Sequence, residues 1–379
     1  MVTGVGVLSA AGRGLAKLTD AAAHGKAAFG PVTRFDVSAR RTGRAALLPG
    51  ALPAGAPLSG SPLLSGSEPA AASAAALLDA IAQACRQAGL TAEGSELPVL
   101  LALHSDERTR ATVDAVAAGL RADRTAAGVT RVYTGACVAA ATAVADAAVT
   151  VATGRHERVL VAAVHLVEPG VFAVFDAGRA LARDGELRPF SAGRTGTLLG
   201  DAAAAVVVEA AAAAERRGAS ALARLAGWGR AGDAHHVCRP EPDGTGVARA
   251  IEAALARAGV APAEIGYVNA NGTGSPLSDQ AEARALRRVF GPHTEHLPVS
   301  SSKSVHGHAL EASALLELAV LVGALGTGLL PVNAGWLGPD PDVGLDLVLD
   351  GPRTARPAYA LSLNSAFGGA NTALLLAPG

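Results

Sequence analysis

The chain has 379 residues, of which 50% are hydrophobic and 17% are charged, with 45 glycines and 21 prolines. This composition is typical of globular α/β enzymes and excludes a disordered or fibrous protein. The formal net charge is −1 and no long run of lysine or arginine occurs, so nucleic acid is not an expected partner. Charged residues interrupt the apolar stretches before they reach about 18 residues, so we expect a buried core and no membrane association.

Short runs rich in valine and leucine alternate with longer alanine-rich stretches at helical spacing. This alternation predicts buried strands connected by helices. The predicted strands span residues 99–103, 158–164, 203–208, 265–269 and 358–364. The predicted helices span residues 71–89, 137–153, 246–258, 279–290 and 310–325.

Two further segments organise the chain. Residues 49–69 are rich in Pro, Gly, Ser and Ala without periodicity, which predicts a surface loop. A helix-like stretch over residues 210–225, followed by residues 227–233, separates a first set of strands from a second. We therefore expect two halves, residues 1–225 and residues 226–379.

The three cysteines, Cys85, Cys137 and Cys238, are widely spaced and include no Cys-x-x-Cys pair. No secretory leader pattern stands at the amino terminus. Reduced thiols in a cytoplasmic protein are therefore expected. The adjacent His235 and His236 have no third ligand at a suitable spacing, so no metal site is predicted.

Cys137 lies where the pattern changes from a short strand to a helix. The segment Val132-Tyr-Thr-Gly-Ala-Cys137 precedes an unbroken run of helix-forming residues. At such a turn the helix dipole and free backbone N–H groups favour a thiolate and can hold an oxyanion. Cys137 is therefore a candidate nucleophile, and a buried, inert cysteine is the alternative.

Seven segments in a fixed order carry a family resemblance. They are Val2-Thr-Gly-Val-Gly-Val-Leu-Ser9, Thr134-Gly-Ala-Cys137, Arg188-Pro-Phe-Ser-Ala-Gly-Arg194 with Gly200-Asp201, Asp233-Ala-His-His236, residues 267–279, residues 302–308 with Glu317, and Phe367-Gly-Gly-Ala-Asn371. Over essentially its whole length the chain resembles the β-ketoacyl synthases, the condensing enzymes of fatty-acid and type II polyketide synthesis. The resemblance implies a thiolase fold, in which two similar α/β halves form a five-layered αβαβα sandwich.

The resemblance also implies roles for single residues. Cys137 would be the nucleophile that accepts an acyl chain, His308 one of two histidines that polarise the malonyl thioester, and Lys303 the charge that orders the site. The backbone N–H groups of Cys137 and of the gate segment near Phe367 would form the oxyanion hole.

The acyl chain would arrive on an acyl carrier protein. Thr273 and Ser275 would hydrogen-bond its phosphopantetheine arm, and no permanently bound cofactor is implied. The other implied partner is a ketosynthase-family chain, either as a heterodimer or as a second copy of this chain.

Several positions depart from the family pattern. Asn271 stands where the family has its first histidine, and an amide cannot take or give a proton near neutral pH. Glu311 replaces a glycine one turn from His308 and is expected to pair with that histidine or to obstruct the tunnel. Residues 106–130 replace a longer family insertion that shapes the acyl pocket and the dimer interface. The gate segment has one residue fewer than the family pattern, which contains two phenylalanines. If Phe367 corresponds to the second of these, Ala366 corresponds to the first.

Other buried polar candidates have structural interpretations. His165 is expected to be a satisfied core or interface histidine, and His306 to be exposed or structural. Asp279 and Glu282 share one helical face, and we expect a buried ion-pair brace in which Asp279 pairs with Lys303.

Three functions compete. The first is a chain-length-factor-like subunit that pairs with an intact ketosynthase, which Asn271, Glu311 and the shortened segment favour, so that this chain acts within a complex rather than alone. The second is a self-sufficient atypical ketosynthase or acyltransferase that uses Cys137 with His308. The third is a thiolase-like enzyme acting on coenzyme A, which is disfavoured because no cysteine follows Phe367.

Overall fold

The computed structural model describes residues 1–49, 67–90, 97–126 and 128–379. The strands within these residues are β1 Val2–Ser9, β2 Gly12–Arg13, β3 Gly30–Pro31, β4 Arg44–Ala45, β5 Val99–Ala102, β6 Val129–Tyr133, β7 Arg158–His165, β8 Ala202–Glu209, β9 Ala223–Gly232, β10 Ile265–Asn269, β11 Val299–Ser300, β12 Leu329–Leu330, β13 Arg353–Thr354, β14 Tyr359–Ala366 and β15 Ala370–Pro378. The α-helices are α1 Leu15–Ala23, α2 Ser67–Gln87, α3 Thr109–Ala122, α4 Ala139–Ala152, α5 Pro169–Ala177, α6 Ala211–Arg216, α7 Thr245–Ala258, α8 Pro276–Phe290, α9 Lys303–His306 and α10 Ser313–Thr327.

The main sheet of the described residues has 11 strands; β2 pairs only with β1, and the other ten form two sets of five with the same chain order. The first set runs β6-β5-β7-β8-β1 and the second runs β11-β10-β14-β15-β9. In each set, the two strand pairs at the outer edge of the sheet are parallel. The two strand pairs nearest the other set are antiparallel. The sets meet where Val2 of β1 lies opposite Ala223 of β9.

Helices cover both faces of each set. The central helices α4 and α10 pack against strands of both sets and share one apolar cluster with them. Helices α2 and α3 pack on the outer face of the first set, and α7 and α8 pack on the outer face of the second. The layers therefore run helix, sheet, helix, sheet, helix, which confirms the predicted αβαβα sandwich.

Helix α10 is the most apolar part of this centre. The run Leu310–Thr327 is long and apolar enough to cross a membrane, but 83% of it is buried inside the protein. Packing between the two sets of strands accounts for its composition.

Glycines set the distance between the strands and the outer helices. A Cβ atom on Gly6 of β1 would lie 1.9 Å from the carbonyl oxygen of Ala80 in α2. A Cβ atom on Gly229 of β9 would lie 1.8 Å from the carbonyl oxygen of Ala250 in α7. The same close approach therefore occurs in equivalent strands of the two sets.

Most predicted elements are present with ends shifted by a few residues, but one prediction is wrong. The predicted helix over residues 210–225 ends as α6 at Arg216, because Gly218 has a left-handed φ of 66° that stops the helix. Residues 227–233 belong mostly to β9, so they form part of the second set of strands instead of separating the two sets. The predicted division between residues 225 and 226 therefore falls inside a strand.

The remaining segments are placed as follows. Of the predicted loop over residues 49–69, residues 50–66 lie outside the described residues, and residues 67–69 begin α2. The shortened segment over residues 106–130 contains α3 and the start of β6.

Candidate active site

Cys137 lies on a strained turn between β6 and α4. The residues Ala136–Val138 form a single 3₁₀ turn, called here the Cys137 turn, which leads directly into α4. Ala136 has a φ of 49°, a left-handed conformation that costs free energy for a residue with a Cβ atom. The sulfur is buried among apolar side chains that include Val167, Phe172 and Leu310.

His308 contacts the cysteine directly. Its Nε2 lies 3.2 Å from Cys137 Sγ, and its Nδ1 lies 2.9 Å from Ser313 Oγ at the start of α10. The backbone N–H of His308 donates to the carbonyl oxygen of Leu198, and its carbonyl oxygen accepts from Gly200. A Cβ atom on Gly200 would lie 2.1 Å from the carbonyl oxygen of His306, so this glycine lets the two segments approach.

A buried ion pair forms the next part of the site. Lys303 Nζ lies 2.5 Å from Glu317 Oε1, and both side chains are fully buried. Asn364 Nδ2 donates to the other oxygen of Glu317 at 2.7 Å. The predicted pairing of Lys303 with Asp279 is therefore wrong, because Glu317 on α10 is the carboxylate that lies within reach.

Asn271 joins this ion pair through its side chain. Its Oδ1 accepts from Lys303 Nζ at 3.3 Å and from the backbone N–H of Ser365 at 3.2 Å. Its backbone N–H donates to Glu282 Oε1 at 2.7 Å, and the N–H of Gly272 donates to the other Glu282 oxygen at 2.8 Å. With Oδ1 occupied, the amide NH₂ is the group that Asn271 can offer to a substrate.

Asp279 and Glu282 hold the loop that carries Asn271 rather than forming an ion-pair brace with Lys303. Asp279 accepts from the backbone N–H of Phe190 at 2.8 Å and of Gly274 at 3.2 Å, and its nearest cation is Arg194 at 3.5 Å. Burial raises the pKa of Asp279 to about 6 and the pKa of Glu282 to about 7. Each of these carboxyl groups accepts hydrogen bonds from backbone N–H groups of the loop that carries Asn271.

The same loop carries the two residues predicted to contact phosphopantetheine. Thr273 and Ser275 are half-buried, and the N–H of Ser275 lies 3.4 Å from Thr273 Oγ1. Both residues belong to the segment that connects Asn271 to α8.

The cysteine and histidine are both uncharged at rest. Burial raises the pKa of Cys137 to about 12, and the carboxylate of Glu311 adds to the increase. Burial and the charge of Lys303 hold the pKa of His308 well below its ordinary value. The sequence predicts a stabilised thiolate, but burial raises the pKa of the thiol and lowers that of the imidazole, which favours the neutral form of each group.

Glu311 does not pair with His308. It lies in a second 3₁₀ turn, Leu310–Ala312, called here the Glu311 turn, which packs against the Cys137 turn. Its Oε1 contacts His104 Nδ1 at 2.8 Å, and its Oε2 lies 3.5 Å from His165 Nδ1. The sequence does not identify His104, which lies just after β5 and far from Glu311 along the chain.

The gate segment forms the turn between β14 and β15. Ala366 packs against the apolar cluster around Cys137, whereas Phe367 is 54% exposed and its ring centroid lies 5.8 Å from that of Phe175. Ala366, rather than Phe367, is therefore the gate residue nearest the cysteine cluster.

The other histidines have structural contacts. His306 is fully buried and bonds to Ser302 Oγ at 3.0 Å through Nε2. His236 accepts from the N–H of Cys238 in an exposed turn. Within the described part of the chain, no group of three His, Cys, Asp or Glu side chains is placed to hold a metal ion.

Comparison with known proteins identifies the family. The family model described as "Beta-ketoacyl synthase, N-terminal domain" matches residues 1–214, and the one described as "Beta-ketoacyl synthase, C-terminal domain" matches residues 222–336. Nodulation protein E of Rhizobium meliloti is 38% identical over 244 residues, which cover 64% of this chain and 60% of the relative. The 3-oxoacyl-[acyl-carrier-protein] synthase 2 of Staphylococcus aureus is 35% identical over 207 residues, which cover 54% of this chain and 51% of the relative.

A solved structure matches the whole chain. The ishigamide ketosynthase/chain length factor superposes with a TM-score of 0.88 at 27% identity, covering 100% of this chain and 98% of the other. The fold is therefore the thiolase fold of the ketosynthases. Family models, relatives and fold agree, and the chain belongs to the β-ketoacyl synthase family.

Proposed function

We propose that this chain is a chain-length-factor-like subunit that pairs with a complete ketosynthase in a cytoplasmic, acyl-carrier-protein-dependent condensing system. The observation that carries the proposal is Asn271. Its carbonyl oxygen is held by Lys303 and Ser365, so the side chain can donate a hydrogen bond from its NH₂ but cannot relay a proton. A chain with this site depends on a partner for decarboxylation.

The relatives support a carrier-dependent system of two chains. The Staphylococcus aureus relative is named for an acyl-carrier-protein substrate, and the ishigamide structure is described as a ketosynthase with a chain length factor. By analogy, we propose that Thr273 and Ser275 bind the phosphopantetheine arm of a carrier protein. The carrier then presents its thioester at Cys137.

A second function is favoured by the contact between Cys137 and His308. In an atypical ketosynthase or acyltransferase, Cys137 Sγ attacks the thioester carbonyl and forms a new carbon–sulfur bond, while its proton passes to His308 Nε2, 3.2 Å away. The carrier thiolate then leaves and takes that proton. A neutral thiol and imidazole can complete this exchange without a thiolate at rest.

Reconstitution tests the proposal. The purified chain, a complete ketosynthase from the same gene neighbourhood and malonyl carrier protein are assayed singly and together for decarboxylation and for product. We expect a one-to-one complex that condenses, and decarboxylation near background for this chain alone. Condensation by the chain without a partner would instead establish the atypical enzyme.

The variant Asn271→His separates the two functions at the residue level. Losing one oxyanion donor typically lowers the rate by about 10²–10³-fold, so a restored histidine should produce a gain of comparable size if the rest of the site is competent. For a partner subunit we expect no gain, because decarboxylation then depends on the partner chain rather than on this position. Asn364→His, at the buried amide that contacts Glu317, is the matched control.

A further inference from the structure

A second polar cluster lies beside the cysteine, at the carboxyl ends of β5 and β7. These two strands are parallel neighbours, and His104 and His165 lie at or just after their ends. Crevices at the carboxyl ends of parallel strands are common ligand sites in α/β proteins. Here a cavity of about 50 Å³ is lined by both histidines and by Val171. This volume accommodates a small polar group or a few waters.

The carboxylate of Glu311 contacts both imidazoles, His104 through a hydrogen bond and His165 at 3.5 Å. Although burial opposes ionisation, the hydrogen bond from His104 and the nearby His165 ring hold the pKa of Glu311 well below its ordinary value. An ionised carboxylate only accepts hydrogen bonds, so His104 donates to Oε1 from Nδ1 at 2.8 Å, while Nδ1 of His165 faces the other carboxylate oxygen at 3.5 Å. A facing carboxylate oxygen favours the proton on Nδ1 of His165, and in that tautomer Nε2 of the ring is an acceptor.

His165 presents that acceptor without a partner. The residue is only 4% exposed, and among the described residues no group hydrogen-bonds to its Nε2. A buried polar atom of this kind costs free energy that a bound donor recovers. The atom belongs to a side chain that lines the cavity, so a donor placed in the cavity would lie beside this ring.

The charges around the cavity favour a neutral donor over an anion. The guanidinium of Arg108 pairs with the carboxylates of both Asp106 and Glu168. The charge of Arg108 is therefore already balanced. When Glu311 is included, the carboxylates around the cavity outnumber this permanent cation. A hydroxyl group can donate to His165 Nε2 without adding a charge to this site.

The cavity adjoins the cysteine. Val171 lines the cavity and also packs against the apolar cluster that contains Cys137. The Glu311 turn packs against the Cys137 turn, and Glu311 is the charged group that most raises the pKa of the thiol. A chain attached to Cys137 thus has a polar cavity within its surroundings.

We propose that His104, His165 and Glu311 form a polar subsite that binds a hydroxyl group carried by the acyl chain that enters at Cys137. The proposal rests on the proposed function only in taking Cys137 as the point of acyl entry. It names hydroxylated acyl groups, rather than plain alkyl chains, as the substrate class of this chain.

Matched electrophiles test the subsite without a carrier protein or a partner chain. N-alkyl chloroacetamides of one chain length, either plain or with a single hydroxyl at successive carbons, alkylate Cys137, and peptide mass spectrometry gives each rate. In the unmodified protein we expect at least one hydroxylated probe to react about 3–10-fold faster than the plain probe, as one neutral hydrogen bond allows. His165→Leu should reduce that ratio to one or below.

Two further variants complete the test. His104→Ala, at a half-exposed residue, should also lower the ratio, and it provides the test if His165→Leu does not fold. His293→Gln, in the 3₁₀ turn that follows α8, should leave the ratio unchanged. Equal rates for all probes, a ratio that survives both cavity variants, or no alkylation of Cys137 by any probe would overturn the proposal. Failure to bind a ketosynthase would refute the proposed function and leave this ratio as it is.

Discussion

At the scale of single residues, the site combines a nucleophile with surroundings that suppress its charge. Cys137 is buried, faces the neutral ring of His308 and is influenced by the ionised Glu311. Lys303 favours the thiolate but is itself paired with Glu317. Reactivity therefore depends on proton transfer at the moment of attack rather than on a stored thiolate.

This arrangement predicts the pH dependence of alkylation. Because the pKa of Cys137 is raised to about 12, the thiolate fraction should grow about tenfold per pH unit from pH 6 to 10, with no plateau. The rate of modification by iodoacetamide, followed by peptide mass spectrometry, measures it. A plateau below pH 8 would indicate a thiolate–imidazolium pair instead.

Substitution of the neighbouring carboxylate should increase this reactivity. Glu311→Gln removes the charge that raises the thiol pKa and should accelerate alkylation at pH 8 by about three- to tenfold. The exposed Glu295→Gln is the matched control and should have no effect. An unchanged rate for Glu311→Gln would mean that burial alone sets the pKa of Cys137.

Sequence patterns identify many residues of this site, but they identify few of the contacts between those residues. The turn around Cys137 can be predicted because a strand, a glycine and a helix-forming run follow one another locally. The cluster of Glu311 with His104 and His165 cannot, because its members are distant along the chain and meet only when β5, β7 and α10 assemble. The pairing of Lys303 in α9 with Glu317 in α10 is also not predicted, because sequence spacing does not give the distance of Lys303 from the carboxylates of α8 and α10.

At the scale of elements, close contact between strands and outer helices depends on glycine. In β1 and in β9, glycines face helix carbonyl oxygens with no room for a Cβ atom. These glycines also explain why the sequence does not predict β9. Gly227 and Gly229 weaken the local strand pattern, but they are required by the approach of α7.

Gly229→Ala should therefore destabilise the protein strongly. Its Cβ atom would overlap the Ala250 carbonyl oxygen at 1.8 Å, so β9 and α7 must separate. We expect a loss of at least about 2 kcal/mol, seen as a fall in Tm of at least about 2–3 °C in calorimetry. Gly232→Ala, in the same strand, should change Tm little, because its Cβ atom would meet none of the described residues within 4 Å. Equal shifts for the two variants would contradict this account.

At the scale of the whole molecule, β6 leaves one edge of the main sheet open to association. It is the last strand of the first set, and Thr130 and Arg131 on it are exposed. A concave surface of about 340 Å³ beside it is lined by residues that include Tyr133, Asp146 and Val149. Edge strands of this kind readily pair with another chain.

We therefore expect the protein to associate, with a ketosynthase or with a second copy of itself. Interfaces that continue a sheet across a two-fold axis are of the obligate kind, which bury thousands of Å². Sedimentation velocity between about 1 and 50 μM should show a dimer when the chain is alone and a heterodimer when a ketosynthase is added. A stable monomer throughout this range would contradict the prediction.

The alanine-rich centre has a consequence for how this sequence can change over evolutionary time. The buried face of α4 includes Ala139, Ala140, Ala141, Ala143 and Ala147, and α10 packs beside it between the two sets of strands. A methyl group leaves little volume to remove, and close packing leaves little room to add any. Drift in this layer is therefore restricted to residues of nearly equal size, and diversification among homologues should be concentrated in the loops and outer helices that surround the site.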